Sequence, residues 1–194
     1  MIPSFRGAFM LACWVCCAIG PPAAGAAGGP DAAATPEARQ FDFLVGQWQV
    51  SGEVKTSGLL ALIHGTPKLV GSWKAWRVAD GHGIEDELTL TDASGNPSSA
   101  IHFKRTFSRE DNCWKITGRD TYRGALPPAT ARWQRDEMVM MGSGTGPGGK
   151  HYRSRTHYVA ITPVSFRMVQ DRSDDEGKTW EAAAVTLDVR RTGS

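Results

Sequence analysis

The residues whose types and spacing best suit chemistry are His151, Arg153, Arg155 and His157, strung as H-x-R-x-R-x-H. Period two places all four side chains on one face of a strand, with successive members roughly 6.5 to 7 Å apart. Facing a cavity, the two guanidiniums would grip a carboxylate or phosphate, and a histidine would ligate a metal or a heme iron. Facing water, the same four are a solvated outer wall. The alternate face carries Tyr152, Thr156, Tyr158 and Ala160, a composition suited to an interior, and this favours the outward reading.

Two other groups offer less. Glu85, Asp86 and Glu87 adjoin, but alternation leaves only Glu85 and Glu87 co-facial, and such a pair is usually solvated. The glycine-rich run from Gly142 to Gly149 has no helix after it to cradle a phosphate, so it reads as a loop at one end of the fold. Downstream of the N-terminal segment, no HExxH, CxxC, GxSxG or Walker pattern nominates a nucleophile, metal or phosphate site. No catalytic residue, metal ligand or cofactor is therefore assigned.

Ser173 to Trp180, SDDEGKTW, fits the Asp-box pattern S-x-D-x-G-x-T-W. Ser173 and Asp175 can hydrogen-bond turn amides, Gly177 supplies a positive φ, and Trp180 packs the turn onto a sheet. The motif is known from sialidase propellers, but a single copy without internal repeats cannot build one. Its role here is structural.

The elements that position these residues are short strands. Trp48, Val50 and Val54 share a face; Ile101, Phe103 and Phe107 alternate with His102, Lys104 and Thr106; Val185, Leu187 and Val189 oppose Thr186 and Asp188. Turn signals fall at Asp80-Gly81, Ser94 to Pro97, Asp111-Asn112, Pro127-Pro128, Gly142 to Gly149 and Glu176-Gly177. About ten strands at even spacing, with no helical crossover, predict an all-β, antiparallel up-and-down barrel. Ahead of it, Thr35-Pro36-Glu37 offers an N-cap, a preset first turn and an acid for the helix dipole, predicting a short helix through about Leu44.

The chain has 194 residues, with 22 Lys+Arg, 20 Asp+Glu and a net charge of +2. That balance gives no electrostatic case for nucleic acid. Residues 1 to 26 read as a secretory signal: Arg6, an apolar core from Ala8 to Ile19, then Ala24-Gly25-Ala26 as the cleavage site. The apolar run is too short to span a bilayer, so a secreted or periplasmic protein without membrane insertion is expected. Residues 27 to 34 read as a flexible leader and 35 to 194 as one domain. Cys13, Cys16 and Cys17 would leave with the signal, so Cys113 has no disulfide partner.

Phe41 to Trp48, FDFLVGQW, resembles the opening of a family of small bacterial proteins that begin FDFLVG-x-W and tend to close with D/E-G-G-K-T-W. Asp175 to Trp180 departs from the latter at Glu176. The resemblance spans about residues 40 to 191 and implies a calycin-like barrel, distantly related to lipocalins and nitrobindins, with no established activity. In lipocalins the Gly-x-Trp tryptophan closes the base beneath an arginine of the last strand, a structural role that Trp48 with Arg190 or Arg191 could repeat. Nitrobindins hold heme through a histidine. Here Val50 stands where their opening has a glycine, and none of His64, His82, His102, His151 and His157 matches the axial ligand, so heme is not expected.

A barrel of this size has its natural ligand place in the lumen. Alternation nominates Trp76, Phe103, Trp114, Tyr122, Phe166 and Met168 as lining residues for a small, mostly apolar ligand. An enzyme acting on an anionic substrate through Arg153, Arg155 and His157 is the reading from another class. A barrel filled by its own side chains, acting as a structural or interaction protein, is the third.

Overall fold

A computed structural model describes residues 35–55, 66–79 and 81–193. Ten strands close into one antiparallel barrel: β1 Gly46–Val54, β2 Lys68–Arg77, β3 Gly83–Asp92, β4 Pro97–Ser108, β5 Cys113–Asp120, β6 Gly124–Gln134, β7 Glu137–Thr145, β8 His151–Val159, β9 Ser165–Ser173 and β10 Glu181–Arg191. Each strand pairs with its neighbours in sequence, and β10 returns to β1. The expected up-and-down barrel is what forms. The signal, the leader, His64 and Asp80 of the Asp80-Gly81 turn lie outside the described residues, and among those described no helix is long and apolar enough to cross a membrane.

The predicted helix is two 3-10 turns, Pro36–Arg39 and Asp42–Leu44, broken at Phe41. Phe41 and Leu44 are wholly buried, so this segment follows the shape of the plug it makes at the barrel's base rather than helical propensity. Its rings interlock with strand residues. Phe41 meets Trp114 edge to face at 5.0 Å and Phe43 meets Phe166 at 5.4 Å, separations at which aromatic pairs attract beyond simple burial.

Trp48 sits against the same plug. Its ring is 5.1 Å from Phe166, and its Nε1 donates to the Leu44 carbonyl at 2.6 Å. In register it lies between Trp73 of β2 and Arg191 of β10. The arginine over its ring is therefore Arg191, at 4.1 Å, while Arg190 points outward and is exposed. Gly46 takes φ +134, and a Cβ there would run into the Arg191 guanidinium, so the glycine of Gly-x-Trp serves both the bend and the stacking arginine.

The other motif closes the opposite end. Ser173 Oγ accepts from the Gly177 amide at 2.8 Å, and Asp175 accepts from the Thr179 amide at 2.9 Å and hydroxyl at 2.7 Å. Gly177 has φ +90. The hairpin turns as its residue types require.

One seam is short. β6 and β7 pair only from Thr130↔Met141 to Gln134↔Glu137. Toward the mouth, Pro127 and Pro128 have no N–H to give, and β6 parts from β7 there.

Candidate functional site

The charged cluster of β8 lies on the outer wall, and each member meets a partner there. Arg153 donates to Glu176 at 2.9 Å, and Arg155 donates to Asp171 at 2.8 Å with its guanidinium 4.6 Å from the Trp180 ring. His157 stands 3.2 Å from Glu137 and 3.6 Å from Asp171. His151 contacts Thr145 at 3.3 Å. Partial burial pushes the Asp171 carboxyl upward, but the Ala183 amide and Arg155 outweigh it and hold the group below its ordinary range. Arg153, Arg155 and His157 thus form no lumenal anion site: the two guanidiniums are paired with Glu176 and Asp171, and His157 lies against Glu137 and Asp171 on the outer wall.

The inner faces of β3 and β4 carry a polar pair that alternation alone did not single out. Arg105 is fully buried and donates to Asp86 through Nε at 2.5 Å and Nη2 at 3.1 Å. Asp86 also accepts from Trp73 Nε1 at 2.8 Å. Tyr158 OH stands 3.5 Å from Arg105, and the guanidinium lies 4.9 Å from the Phe41 ring and 5.0 Å from the Phe103 ring. Burial works against the Arg105 charge, yet Asp86 overrides it and raises the pKa, while burial raises that of Tyr158. A signal existed: Arg105 is in phase with Phe103 and Phe107, and Asp86 with Ile84 and Leu88, so opposite charges sat on adjacent apolar faces.

This brace sits within the core cluster. Around it Trp48, Trp73, Trp114 and Phe166 are at most 3% exposed. Toward the mouth Ile101, Phe103, Leu126, Met140 and Val185 point inward and remain partly exposed, beside the buried Leu69, Leu88, Leu90 and Leu187. Thr156 and Gln170 share a hydrogen bond of 3.2 Å on the facing strands. At the rim Arg172 stacks 4.4 Å over Tyr152 and is tied to Asp174 at 2.7 Å.

Of the residues nominated for the lumen, Phe103 lines this mouth-side space, and Met168 faces inward between Tyr158 and Leu187. Phe166 and Trp114 also point inward but belong to the packed base. Two are corrected. Trp76 is outside, stacked on His102 at 6.1 Å with Lys74 beneath it, because pairing of Trp73 with Trp48 fixes the opposite phase of β2. Tyr122 is 57% exposed in the β5–β6 turn, beyond the end of its strand.

A hollow of about 450 Å³ opens where β6 parts from β7, lined by the outward Met141, Ser143 and Arg153, the inward-facing strand positions Gly142 and Tyr152, and Pro128. Among the described residues, no group of three or more His, Cys, Asp or Glu is placed to hold a metal ion.

No family model matches the chain, and no curated protein does. Solved structures do. It is similar to the S-type phycobiliprotein lyase CPES from Guillardia theta, at 12% identity and a TM-score of 0.54, over 81% of this chain and 96% of that one. It also matches EF1p2_mFAP2b bound to DFHBI, at 14% identity and a TM-score of 0.40, over 80% of this chain and 99% of that one. At such identities the likeness to the lyase is one of fold: a closed, calycin-like barrel.

Proposed function

We propose that this protein binds a small, mainly apolar ligand in the mouth half of its barrel, as an exported member of the proteins that open FDFLVG-x-W. The observation that carries the reading is inward apolar surface in the mouth half that is not fully buried. Phe103 and Met140, mid-strand and inward, keep some solvent contact, as do Ile101 and Leu126 nearer the mouth. Apolar surface held open to water inside a rigid wall is what a ligand would cover, at about 25 cal/mol for each Å² buried. Gln170, held by Thr156, supplies a partly exposed side-chain amide on the same inner wall for a polar end.

The lyase is by its name a protein that acts on phycobiliproteins, and this chain shares its fold. The N-terminal signal supports export to the periplasm or medium. No cofactor enters this reading. An enzyme working through Arg153, Arg155 and His157 is disfavoured by the carboxylates that already engage them.

A hydrophobic fluorescent dye titrated into the purified protein tests the proposal. Micromolar binding that is lost in Met140→Trp, which fills the space, is the expected result. Equal binding by wild type and this variant would place the dye elsewhere and overturn it. Native mass spectrometry of protein taken from its own compartment would identify what it carries, and an intact mass that still includes residues 1 to 26 would refute export by cleavage.

A further inference from the structure

A second hollow, of about 420 Å³, lies at the opposite end of the barrel, lined by Pro36, Arg39, Gln40, Phe43, Trp133 and Ile161. We infer that it is a separate binding site for an amphipathic monocarboxylate, whose apolar body lies on Trp133, Phe43 and Ile161 and whose carboxylate meets Arg39. Its walls come from four stretches of chain: the two 3-10 turns, the end of β6, and the β8–β9 connection.

The chemistry of the walls selects this class. Trp133 remains 37% exposed although its neighbour Phe43 packs at 6.5 Å, so an aromatic face is left open. Its Nε1 is already satisfied by the Arg135 carbonyl at 2.9 Å, and the indole presents itself as an apolar surface rather than a donor. Phe43 and Ile161 are only partly buried beside it. The volume lies at the lower end of the range for small-molecule sites.

Charge fixes the other half of the ligand. The Arg39 side chain has no carboxylate or hydrogen-bond partner among the described residues. It also stands close enough to Arg77 to repel it, adding to burial in lowering that group's pKa. Arg77 has Asp42; Arg39 has nothing comparable. The other hollow differs here, because its Arg153 is bound to Glu176. A guanidinium without an ion-pair partner, at the lip of an apolar hollow, offers a charged donor that one carboxylate would take up. The Gln40 amide lines the same hollow.

Octanoate and its neutral counterpart octanol, titrated into the folded protein by calorimetry and by NMR, test the inference. Octanoate should bind more tightly than octanol, weaken as salt rises, and shift the Trp133 indole N–H resonance. Arg39→Gln should weaken octanoate about tenfold, the order of one charge-assisted hydrogen bond, and leave octanol unchanged. Trp133→Ala should weaken both. Met140→Trp, which fills the lumen, should leave the Trp133 shift intact, and this separates the site from the one at the mouth. No octanoate binding, an unmoved Trp133 resonance, or equal affinity in Arg39→Gln would each overturn the inference and leave the mouth site untouched.

Discussion

Trp48 of β1 and Arg191 of β10 are directly opposed in the barrel's closing seam, and the guanidinium stands 4.1 Å from the indole ring. The contact joins the first strand to the last. Arg191→Ala should cost about 1 kcal/mol in chemical denaturation, whereas Arg190→Ala, exposed and out of phase, should be near neutral. Equal effects would mean that the stack contributes nothing specific.

Trp48→Ala removes a side chain that is 1% exposed and wedged against Phe166 and Leu44. A loss of about 3 to 5 kcal/mol is expected. A melting temperature within a couple of degrees of wild type would remove Trp48 from the core.

Asp86→Ala should be severely destabilising, by about 3 to 5 kcal/mol, since it strands the buried Arg105 charge and leaves Trp73 Nε1 without its acceptor. The double variant Asp86→Leu with Arg105→Met should recover much of that loss, because an apolar pair of similar volume needs no compensation. A double variant worse than Asp86→Ala would show that the brace is required as a brace.

In the Asp-box turn, Gly177 has φ +90. Gly177→Val should therefore destabilise through backbone strain by about 1 to 3 kcal/mol, and Gly177→Asn by less, since asparagine tolerates positive φ. Matching losses in the two variants would contradict strain as the cause.

The same turn makes a pH prediction. The Thr179 amide and hydroxyl, with Ser173, hold the Asp175 carboxyl down at about 2. A folded-state value below the unfolded one means that its stabilising contribution is complete above the unfolded pKa, about 3.9, and is lost as pH falls toward 2. A carboxyl carbon titration should place Asp175 well below the ordinary aspartate value. A midpoint near the ordinary value would show that the hydrogen bonds do not persist in solution.

Strand number, antiparallel order, the Gly-x-Trp opening and the Asp-box turn were all legible because each is local: period two, turn residues and side chain to amide spacing. The phase of β2 was not. Trp73 and Trp76 differ by an odd number of residues, and only the pairing of Trp73 with Trp48 decides which one points inward. Arg191 was within reach, since it continues the inward series of Val185, Leu187 and Val189. The Arg105–Asp86 pair was harder to see because charge on an apolar face normally argues against burial, and its partner lay on another strand. Arg39 had no sequence signal at all. Its isolation depends on where Asp42 goes, and Asp42 goes to Arg77.

The two prolines of β6 give the barrel an uneven mechanical character. Around the base the hydrogen bonds form a continuous hoop, but near the mouth the hoop is slit between β6 and β7. A slit ring can spring wider at its cut end without breaking a single rung, so the mouth is free to admit a body broader than its resting aperture while the base keeps its diameter. Of the Gly142 and Ser143 amides, the one that points across the cut toward β6 should accordingly exchange with solvent faster than those of Met138 and Val139, where the hoop is whole.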